Sequence, residues 1–346
     1  MSAIRSIRTG AVDSRWLFNN FYVGELIVDA RSRDAFKNET ILGAISIPPV
    51  AGCTCFADLD NACTDTQSLA SLSPRKRTLR DIVIFADSAQ INDSKSWVYT
   101  LLQLLVADGL VASVKTLGDC FSVFSRRYPF YTTQAVSSNN GVIQSGQHRV
   151  TYPNEIVDGF LYLGNMWQAE CQQVIHDLGI THIVNATLDL GNVFESSGVF
   201  YHEVKVRDES MADISRFFDS TFHFINRAKH AASPSWVTAT GERPALPFRV
   251  LVHCTQGISR SATLVIMYLM RANHWSLVQA FNYTRAGRGV IIPNEGFLIA
   301  LLNEERRLHG CESTSVIESE FDALLQGRIS DRSVPPPRRN SGCACM

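Results

Sequence analysis

The chain has 346 residues, of which 45% are hydrophobic and 19% are charged, and its formal net charge is −1. This composition is typical of a folded globular protein and excludes a largely disordered chain, and the length predicts two domains. A net charge near zero provides no global attraction for nucleic acid or an anionic membrane, so we expect no nucleic-acid partner.

Nine cysteines occur at irregular spacing, and their odd number argues against a disulfide framework and favours a reducing compartment. No Cys-x-x-Cys pair occurs, so we expect no zinc ribbon, no other metal and no cofactor. The first ten residues lack the apolar core of a signal peptide. The most apolar long stretch, residues 97–112, is interrupted by Gln103 and Asp108, which predicts a buried helix and not a membrane span.

The first part of the chain alternates strand-like and helix-like runs. The strand-like runs are residues 26–29, 44–47, 81–85 and 113–117. With a helix-like run at residues 96–107, this alternation predicts an α/β domain with a parallel sheet over residues 1–131. Residues 132–150 are rich in Ser, Asn, Gln and Gly, which predicts a linker.

A second α/β pattern predicts another domain over residues 151–310, with a central sheet flanked by helices. The strand-like runs are residues 161–163, 182–185, 201–206 and 249–252, and the helix-like runs are residues 214–229 and 262–271. Between them, residues 233–248 form a long loop with three prolines, which is either a lid, a docking loop or a plain surface insertion. Residues 311–346 are polar and predict a disordered tail.

The strongest chemical signal lies where the strand at residues 249–252 runs into His253 and Cys254. A loop of uncharged residues comes next, and Arg260 then opens a helix. The loop residues are Thr255, Gln256, Gly257, Ile258 and Ser259. In a strand, loop and helix of this kind the backbone N–H groups can point inward and, with the positive end of the helix, form an anion site. The sequence therefore predicts a metal-free phosphate loop over residues 254–260.

Each side chain of this loop has a predicted task. We expect the N–H groups and the helix end to lower the pKa of the Cys254 thiol, so that its thiolate can attack phosphorus. The planar guanidinium of Arg260 can hold two phosphate oxygens, which a lysine could not do. Gly257 permits the turn, Ser261 can donate a hydrogen bond to the sulfur, and His253 is expected to brace the loop through its ring nitrogens. The alternative for Cys254 is an inert buried thiol.

A thiolate mechanism also needs an acid that protonates the leaving oxygen. Asp208 follows the predicted strand at residues 201–206 and is our candidate. It would then act as the base for the water that hydrolyses a cysteinyl-phosphate. Glu209 and Asp213 compete with it on the sequence alone, and Asp208 could instead be a helix-capping or solvated carboxylate.

With these motifs in place, residues 151–309 resemble the dual-specificity branch of the protein tyrosine phosphatase superfamily. The resemblance rests on residues 152–156, 161–164, 179–185, 253–261 and 293–297. It implies an enzyme that hydrolyses phosphotyrosine and phosphoserine or phosphothreonine in proteins, with Asp208 as the acid. It also implies that Asn294 supports the phosphate loop. Asn185 has the same implied role or is a buried structural asparagine.

Residues 1–131 resemble the rhodanese-like domain that precedes the catalytic domain in MAP kinase phosphatases. The resemblance rests on residues 26–31, 43–48, 117–121 and 124–130. Sulfur-transferring relatives place a cysteine after the third strand, where this chain has Asp87 and Ser88, so the domain is expected to be catalytically silent and to serve binding. A MAP kinase is then the implied substrate. The arginine cluster that docks the kinase is absent from residues 51–66, and a later basic run, residues 75–80, is either a docking site or a solvated loop.

The chain ends in Cys343-Ala344-Cys345-Met346, which has the position pattern of a prenylation box with Cys343 as the acceptor. Upstream arginines could add attraction to an anionic membrane. Cys345 stands where an aliphatic residue is usual, so the alternative is a tail that ends this way by chance. The implied location is the cytoplasm, with membrane attachment through the tail if the box is used and with the nucleus left open.

Two other functions stay open at this point. The first is a cysteine-dependent phosphatase that acts on a non-protein substrate such as a phospholipid. Relatives of that kind often carry lysine inside the loop, whereas residues 255–259 are uncharged here. The second is a membrane-tethered anchor that binds phosphoproteins without hydrolysing them. Such members usually lack the nucleophile or the arginine, whereas Cys254, Arg260 and Asp208 are all present.

Overall fold

The computed structural model describes residues 7–21, 24–56, 58–59, 70–87, 93–134, 150–231 and 248–310. The chain divides into two compact units, Met1–Arg149 and Val150–Met346. The predicted tail with Cys343, and most of the predicted linker and of the loop at residues 233–248, lie outside the described residues. None of the described helices is long and apolar enough to cross a membrane.

The first unit is built on a five-stranded sheet of order β1-β5-β4-β2-β3. Every pair in this sheet is parallel, as predicted. The strands are β1 Arg8–Val12, β2 Leu26–Asp29, β3 Ile45–Ser46, β4 Asp81–Phe85 and β5 Ser113–Leu117. The helices are α1 Ser14–Asn20, α2 Arg33–Asn38, α3 Pro74–Arg77, α4 Trp97–Asp108 and α5 Phe121–Arg127.

The central strands of this sheet form where the chain is continuously apolar. β2 is buried along its whole length and β4 over its last four residues, as expected for strands covered on both faces. The edge strand β1 was not predicted, because four of its five residues are exposed and carry no apolar pattern. Helix α4 begins where the Ser96 side chain accepts the Tyr99 N–H and ends at Gly109, which has a φ of 73°.

The second unit is built on a five-stranded sheet of order β6-β7-β10-β8-β9. Only β6 runs antiparallel to its neighbour among the described strands. The strands are β6 Asn154–Val157, β7 Leu161–Asn165, β8 His182–Asn185, β9 Phe200–Glu203 and β10 Val250–Cys254. The helices are α6 Met166–Ala169, α7 Gln172–Leu178, α8 Phe218–Ala231, α9 Arg260–Asn273, α10 Leu277–Gly287 and α11 Glu295–His309.

The predicted strand at residues 201–206 leaves the sheet after Glu203, three residues early. The Val204 N–H still bonds the Asn185 carbonyl, but the Val206 N–H bonds the Val204 carbonyl instead of the sheet. Both valines are buried in the core of the second unit. The alternation of these valines with polar residues therefore indicates that the segment is extended and packed on the core, although it has left the sheet and turns toward Asp208.

The central strand β10 determines where the candidate site lies. Cys254 is in register with Asn165 of β7, and His253 is in register with Asn185 of β8. Because these three strands are parallel, their carboxyl ends meet at one edge of the sheet. Helix α9 leaves that edge and is buried from Arg260 to Met270, so the loop between β10 and α9 is held by the core at both ends.

Candidate active site

The loop between β10 and α9 curls around the sulfur of Cys254. The backbone N–H of Gly257 and the hydroxyl of Ser261 each donate a hydrogen bond to Sγ, both at 3.2 Å. Cys254 itself is 1% exposed. The inward-pointing N–H and the start of α9 form a cradle around the sulfur, at the place where the sequence predicts an anion site.

The ionisation of Cys254 reflects two opposing effects. Burial raises the pKa of the thiol, whereas the hydroxyl and N–H of Ser261, the N–H of Gly257 and the charge of Arg260 lower it. The stabilising contacts prevail, so the pKa of Cys254 lies below its ordinary value. A buried thiol of this kind carries more thiolate near neutral pH than a free cysteine does.

The backbone of the loop requires a glycine at position 257. Gly257 has a φ of 73°, and a Cβ added there would lie 2.5 Å from the carbonyl oxygen of Gly164. Any other residue would therefore push the loop away from the end of β7. The predicted turn at Gly257 is thus enforced by a neighbouring strand as well as by its backbone conformation.

Arg288 braces the outer side of the loop, and sequence reasoning missed it. Its Nε donates to the Gly257 carbonyl at 2.8 Å, and its Nη2 donates to the Gln256 carbonyl at 3.2 Å. Its Nη1 donates to Asn154 Oδ1 at 2.6 Å, which ties the loop to β6. When the N–H groups of a loop point inward, its carbonyls point outward and need donors. The need for donors to these carbonyls predicts an arginine near the loop, but the sequence does not indicate which arginine it is.

Arg260 lies at the other side of the cradle and is only 9% exposed. Its Nη2 donates to Thr255 Oγ1 at 3.0 Å, and its Nη1 donates weakly to the Val206 carbonyl at 3.4 Å. Its Nε lies 3.4 Å from Asp208 Oδ2 but makes no hydrogen bond within the described part of the chain. The guanidinium therefore has incompletely used donors beside the sulfur, where a phosphate could accept from them.

Asp208 is joined to the same loop by side-chain hydrogen bonds. Its Oδ1 accepts from the Ser259 hydroxyl at 2.6 Å and from Asn294 Nδ2 at 2.9 Å. The competing acids lie elsewhere. Asp213 accepts from the N–H and the hydroxyl of Ser215, and the exposed Glu209 lies 3.8 Å from Arg207. Of the three carboxylates, Asp208 is the one that these contacts bring to the loop.

Asn294 joins the acid segment, the loop and α11. Its Oδ1 accepts the Phe297 N–H at 3.0 Å and so caps the helix, while its backbone N–H donates to Ser259 Oγ at 3.2 Å. The first turn of α11 also contacts the acid segment closely, because a Cβ at Gly296 would overlap the Ser210 carbonyl. Sequence reasoning missed this contact at Gly296.

The contacts of two further residues, His253 and Asn185, bear on the roles expected of them. The Nδ1 of His253 is buried without a well-formed hydrogen bond to any described residue, while the ring approaches the backbone of Cys254, so bracing of the loop by His253 stays a prediction. Burial lowers the pKa of His253 to about 4, which keeps the ring neutral at ordinary pH. Asn185 shapes the loop after β8 instead, with Nδ2 donating to the Leu190 carbonyl at 3.0 Å and Oδ1 accepting from Thr187.

No group of three or more His, Cys, Asp or Glu side chains that could hold a metal ion occurs among the described residues.

In the first unit, the basic run at residues 75–80 does not form one exposed patch. Arg77 is buried and bonds Asp108 with a closest distance of 2.7 Å, and Arg80 donates to the Gly24 carbonyl. Arg75 and Lys76 are the exposed members of the run, which favours a solvated loop over a docking site.

Comparison with known proteins gives a consistent family. Residues 244–307 match the model of the dual specificity phosphatase, catalytic domain. The chain is 34% identical to rat dual specificity protein phosphatase 26 over 199 residues, which cover 56% of this chain and 85% of that protein.

Two longer proteins are also similar. Human dual specificity protein phosphatase 1 is 36% identical over 182 residues, which cover 53% of this chain and 45% of that protein. Human protein phosphatase Slingshot homolog 1 is 33% identical over 186 residues, which cover 53% of this chain and 16% of that protein. The aligned part of this chain thus spans less than half the length of either.

Proposed function

The chain belongs to the dual-specificity phosphatase family, and from that premise we propose that it hydrolyses phosphotyrosine and phosphoserine or phosphothreonine in proteins through a cysteinyl-phosphate. One observation carries the proposal. A thiol whose pKa is lowered, an arginine with unused donors and a carboxylate all contact a single loop, at Cys254, Arg260 and Asp208.

In the first step the Cys254 thiolate attacks phosphorus as the bond to the leaving oxygen breaks. Arg260 holds two of the non-bridging oxygens, and the inward N–H of Gly257 turns from the sulfur to the phosphoryl group. Asp208, in its acid form, gives its proton to the leaving oxygen of the serine, threonine or tyrosine side chain. The products are the dephosphorylated hydroxyl and a phosphate bonded to sulfur.

In the second step a water molecule attacks the same phosphorus. Asp208, now a carboxylate, takes a proton from the water, and the bond between sulfur and phosphorus breaks to release inorganic phosphate. Ser261 donates to Sγ at 3.2 Å, which stabilises the departing thiolate. The hydrogen bonds from Ser259 and Asn294 support the role of Asp208, because they hold its carboxyl beside the loop through both steps.

We propose a protein substrate because residues 255–259 carry no charge that would meet additional phosphates of a lipid headgroup. The resemblance to MAP kinase phosphatases favours a MAP kinase, with residues 1–131 as a silent rhodanese-like binding domain and residues 151–310 as the catalytic domain. The parallel sheet of the first unit, and Asp87 after β4 in place of a cysteine, support that assignment. Cys343 stays a proposed prenylation site that would attach the protein to a membrane.

Hydrolysis of an aryl phosphate by the full chain tests the mechanism. We expect Cys254→Ser to abolish turnover while phosphopeptide binding is retained, and Asp208→Asn to lower kcat by about 10²–10³-fold. Asp213→Asn is the matched control, because it removes a carboxylate from the same segment without touching the loop. Equal turnover by the wild type and Cys254→Ser would contradict the mechanism.

A second measurement addresses the substrate. Full-length Asp208→Ala is expected to trap phosphoproteins from a lysate, and mass spectrometry would identify them. Release of phosphate from phosphoinositide vesicles with none from phosphopeptides would contradict a protein substrate and favour the phospholipid alternative.

A further inference from the structure

Large apolar side chains are exposed around the predicted phosphate loop. We define the apolar rim as Trp167, Met211, Val290 and Ile292. Met211 is 95% exposed and Trp167 is 63% exposed, and the other two are about half exposed. Single exposed apolar residues are ordinary on a protein surface, but several at one site indicate a surface that meets a partner.

Two members of the apolar rim belong to segments that bond the phosphate loop directly. The backbone N–H of Met166 donates to the Thr255 carbonyl at 3.3 Å, and Trp167 is the next residue along α6. The backbone N–H of Ile292 donates to the Ile258 carbonyl at 2.9 Å. The rim therefore reaches the loop directly at Ile292 and begins one residue away from it at Trp167.

The other two members are connected to the same loop through neighbouring residues. Val290 lies two residues after Arg288, which donates to the Gly257 carbonyl. Met211 lies three residues after Asp208, whose carboxyl accepts from Ser259. Both segments are held close, because Gly296 contacts the Ser210 carbonyl and Arg288 is buried. The four side chains thus lie on three segments that each hydrogen-bond the phosphate loop.

The charges near the rim do not favour an acidic partner. Arg207 and Glu209 lie on the acid segment and face each other at 3.8 Å, so their charges offset. Asp208 is engaged by Ser259 and Asn294, and Arg288 is buried. The exposed side chains of these segments are the four of the apolar rim, Ser210 and a set of charged groups that is mostly acidic, namely Arg207, Glu170, Asp208, Glu209 and Asp213. A bound chain therefore meets apolar surface and an excess of negative charge.

We propose that the apolar rim selects phosphoprotein segments in which large apolar residues flank the phosphorylated residue. This inference rests on the proposed function, because a phosphoryl group bound at Cys254 carries its neighbouring residues across the three segments. Apolar flanks would cover Trp167, Met211, Val290 and Ile292 and lose contact with water, whereas acidic flanks would lose hydration without gaining an ion pair. The rim thereby sets specificity without taking part in phosphoryl transfer.

Matched phosphotyrosine peptides test the proposal with the full chain. The peptides differ only at the two residues on either side of phosphotyrosine, which are leucine in one and glutamate in the other. We expect kcat/KM to be about tenfold higher for the leucine peptide. Trp167→Ala and Met211→Ala are each expected to reduce that ratio about threefold, while turnover of a small aryl phosphate stays unchanged.

Phe200→Ala is the matched control. Phe200 is 60% exposed but begins β9, at the opposite end of the parallel strands from Cys254. We expect it to leave both the peptide ratio and aryl phosphate turnover unchanged, and an equal fall of the ratio in this variant would contradict a local rim. If a rim variant fails to fold, the wild-type ratio still decides the question.

The possible failures are distinguishable. A wild-type enzyme that hydrolyses aryl phosphate and both peptides equally well would overturn the rim proposal and leave the proposed function intact. Absence of turnover on every substrate would overturn both. Equal peptide rates, together with binding to neutral phosphatidylcholine vesicles that Met211→Ala abolishes, would overturn the proposal in favour of a membrane surface.

Discussion

Two buried arginines, one in each unit, show how differently the same side chain can be used. Arg31 in the first unit donates through Nε and Nη2 to both oxygens of Asp29, at 3.0 and 2.7 Å, and Nη2 also donates to the Glu39 carbonyl. Its guanidinium stacks 3.7 Å from the ring centroid of Phe121. Among the described residues Arg260 in the second unit has no such bidentate partner, and its Nε lies 3.4 Å from Asp208 Oδ2 without a hydrogen bond.

The difference indicates which arginine is available to a ligand. Arg31 already makes the planar, two-point contact with an anion that guanidinium favours, and the anion is Asp29 of the same chain. Arg260 lies near the Cys254 sulfur with that two-point contact unmade. A bound phosphate would give Arg260 the planar, two-point contact with an anion that Asp29 gives Arg31. The comparison teaches that burial alone does not make an arginine available to an anion, because Arg31 and Arg260 are both buried and, of the two, only Arg31 makes a two-point contact with a carboxylate in the described part of the chain.

Replacement of each arginine by lysine is the strongest way to break this comparison. Arg260→Lys keeps the charge but loses the planar fork, so we expect kcat/KM on aryl phosphate to fall about 10³-fold with little change in stability. Arg31→Lys should leave turnover unchanged and lower the free energy of unfolding of the first unit by about 3 kcal/mol. Steady-state kinetics and urea unfolding measure the two effects. Equal loss of turnover in both variants would contradict the distinction.

Two glycines with positive φ sharpen the contrast between the loop and an ordinary turn of the same unit. Gly257→Ala should displace the loop from β7, because its Cβ would lie 2.5 Å from the Gly164 carbonyl, and kcat/KM should fall about 10²-fold. Gly159→Ala is the control, since Gly159 has a φ of 61° with nothing within 4 Å of an added Cβ. It should cost about 1 kcal/mol of stability and leave kinetics unchanged. Comparable kinetics for the two variants would show that the loop tolerates the side chain.

Acid should lower the stability of the second unit more than that of the first, because only the second has a buried histidine among its described residues. The described residues of the first unit contain no histidine, whereas burial lowers the pKa of His253 in the second unit to about 4. The unfolded pKa is about 6.5, so the neutral ring stabilises the fold above that pH, and the stabilisation is lost as pH falls toward 4. At pH 5 the loss from His253 is about 2 kcal/mol, or about 30-fold in the unfolding equilibrium.

Hydrogen exchange by mass spectrometry, corrected for the intrinsic effect of pH, would follow each unit separately. The second unit should lose protection between pH 7 and pH 5, and His253→Gln should remove that part of the pH dependence. His182, whose pKa burial also lowers to about 4, should still contribute a part. An unchanged pH dependence in His253→Gln would contradict the assignment.

The smallest predicted effect concerns the sulfur itself. Ser261→Ala removes the hydroxyl that donates to Sγ at 3.2 Å, which should raise the pKa of Cys254. Alkylation of Cys254 by iodoacetamide should then slow about tenfold at pH 6.5 and change little at pH 9.5. Peptide mass spectrometry distinguishes Cys254 from the other free cysteines. The control Ser220→Ala removes an exposed helix hydroxyl, and slowing at both pH values would indicate lost access and not a shifted pKa.

Much of the fold could be predicted from the chain alone. The strands at residues 26–29, 81–85, 113–117 and 182–185 are observed with the predicted bounds. They are short, mostly apolar runs between polar turns, and burial on both faces makes such runs strands in any compact arrangement. The edge strands β1 and β6 were missed, because their residues are exposed or mixed and only their neighbours define them as strands.

The candidate site divides in the same way. Cys254, Gly257, Arg260 and Ser261 lie within eight positions of one another, so their meeting around one anion site follows from local loop geometry. The choice among Asp208, Glu209 and Asp213 does not, since it depends on the hydrogen bond from Ser259, 51 residues away. The sequence pattern alone left the choice of the acid open, and only the family resemblance favoured Asp208.

The sequence by itself thus determined the α/β pattern, the strand, loop and helix around Cys254 and the chemistry that a thiolate and an arginine can perform there. Only the tertiary structure decided what holds that loop in place. Arg288 bonds Asn154 across 134 residues, and the loop meets it only because β7 places β6 next but one to β10 and α10 packs against β6. Local patterns encode burial and turns, whereas side-chain partners far apart in the chain are selected by packing, which no short stretch of sequence contains.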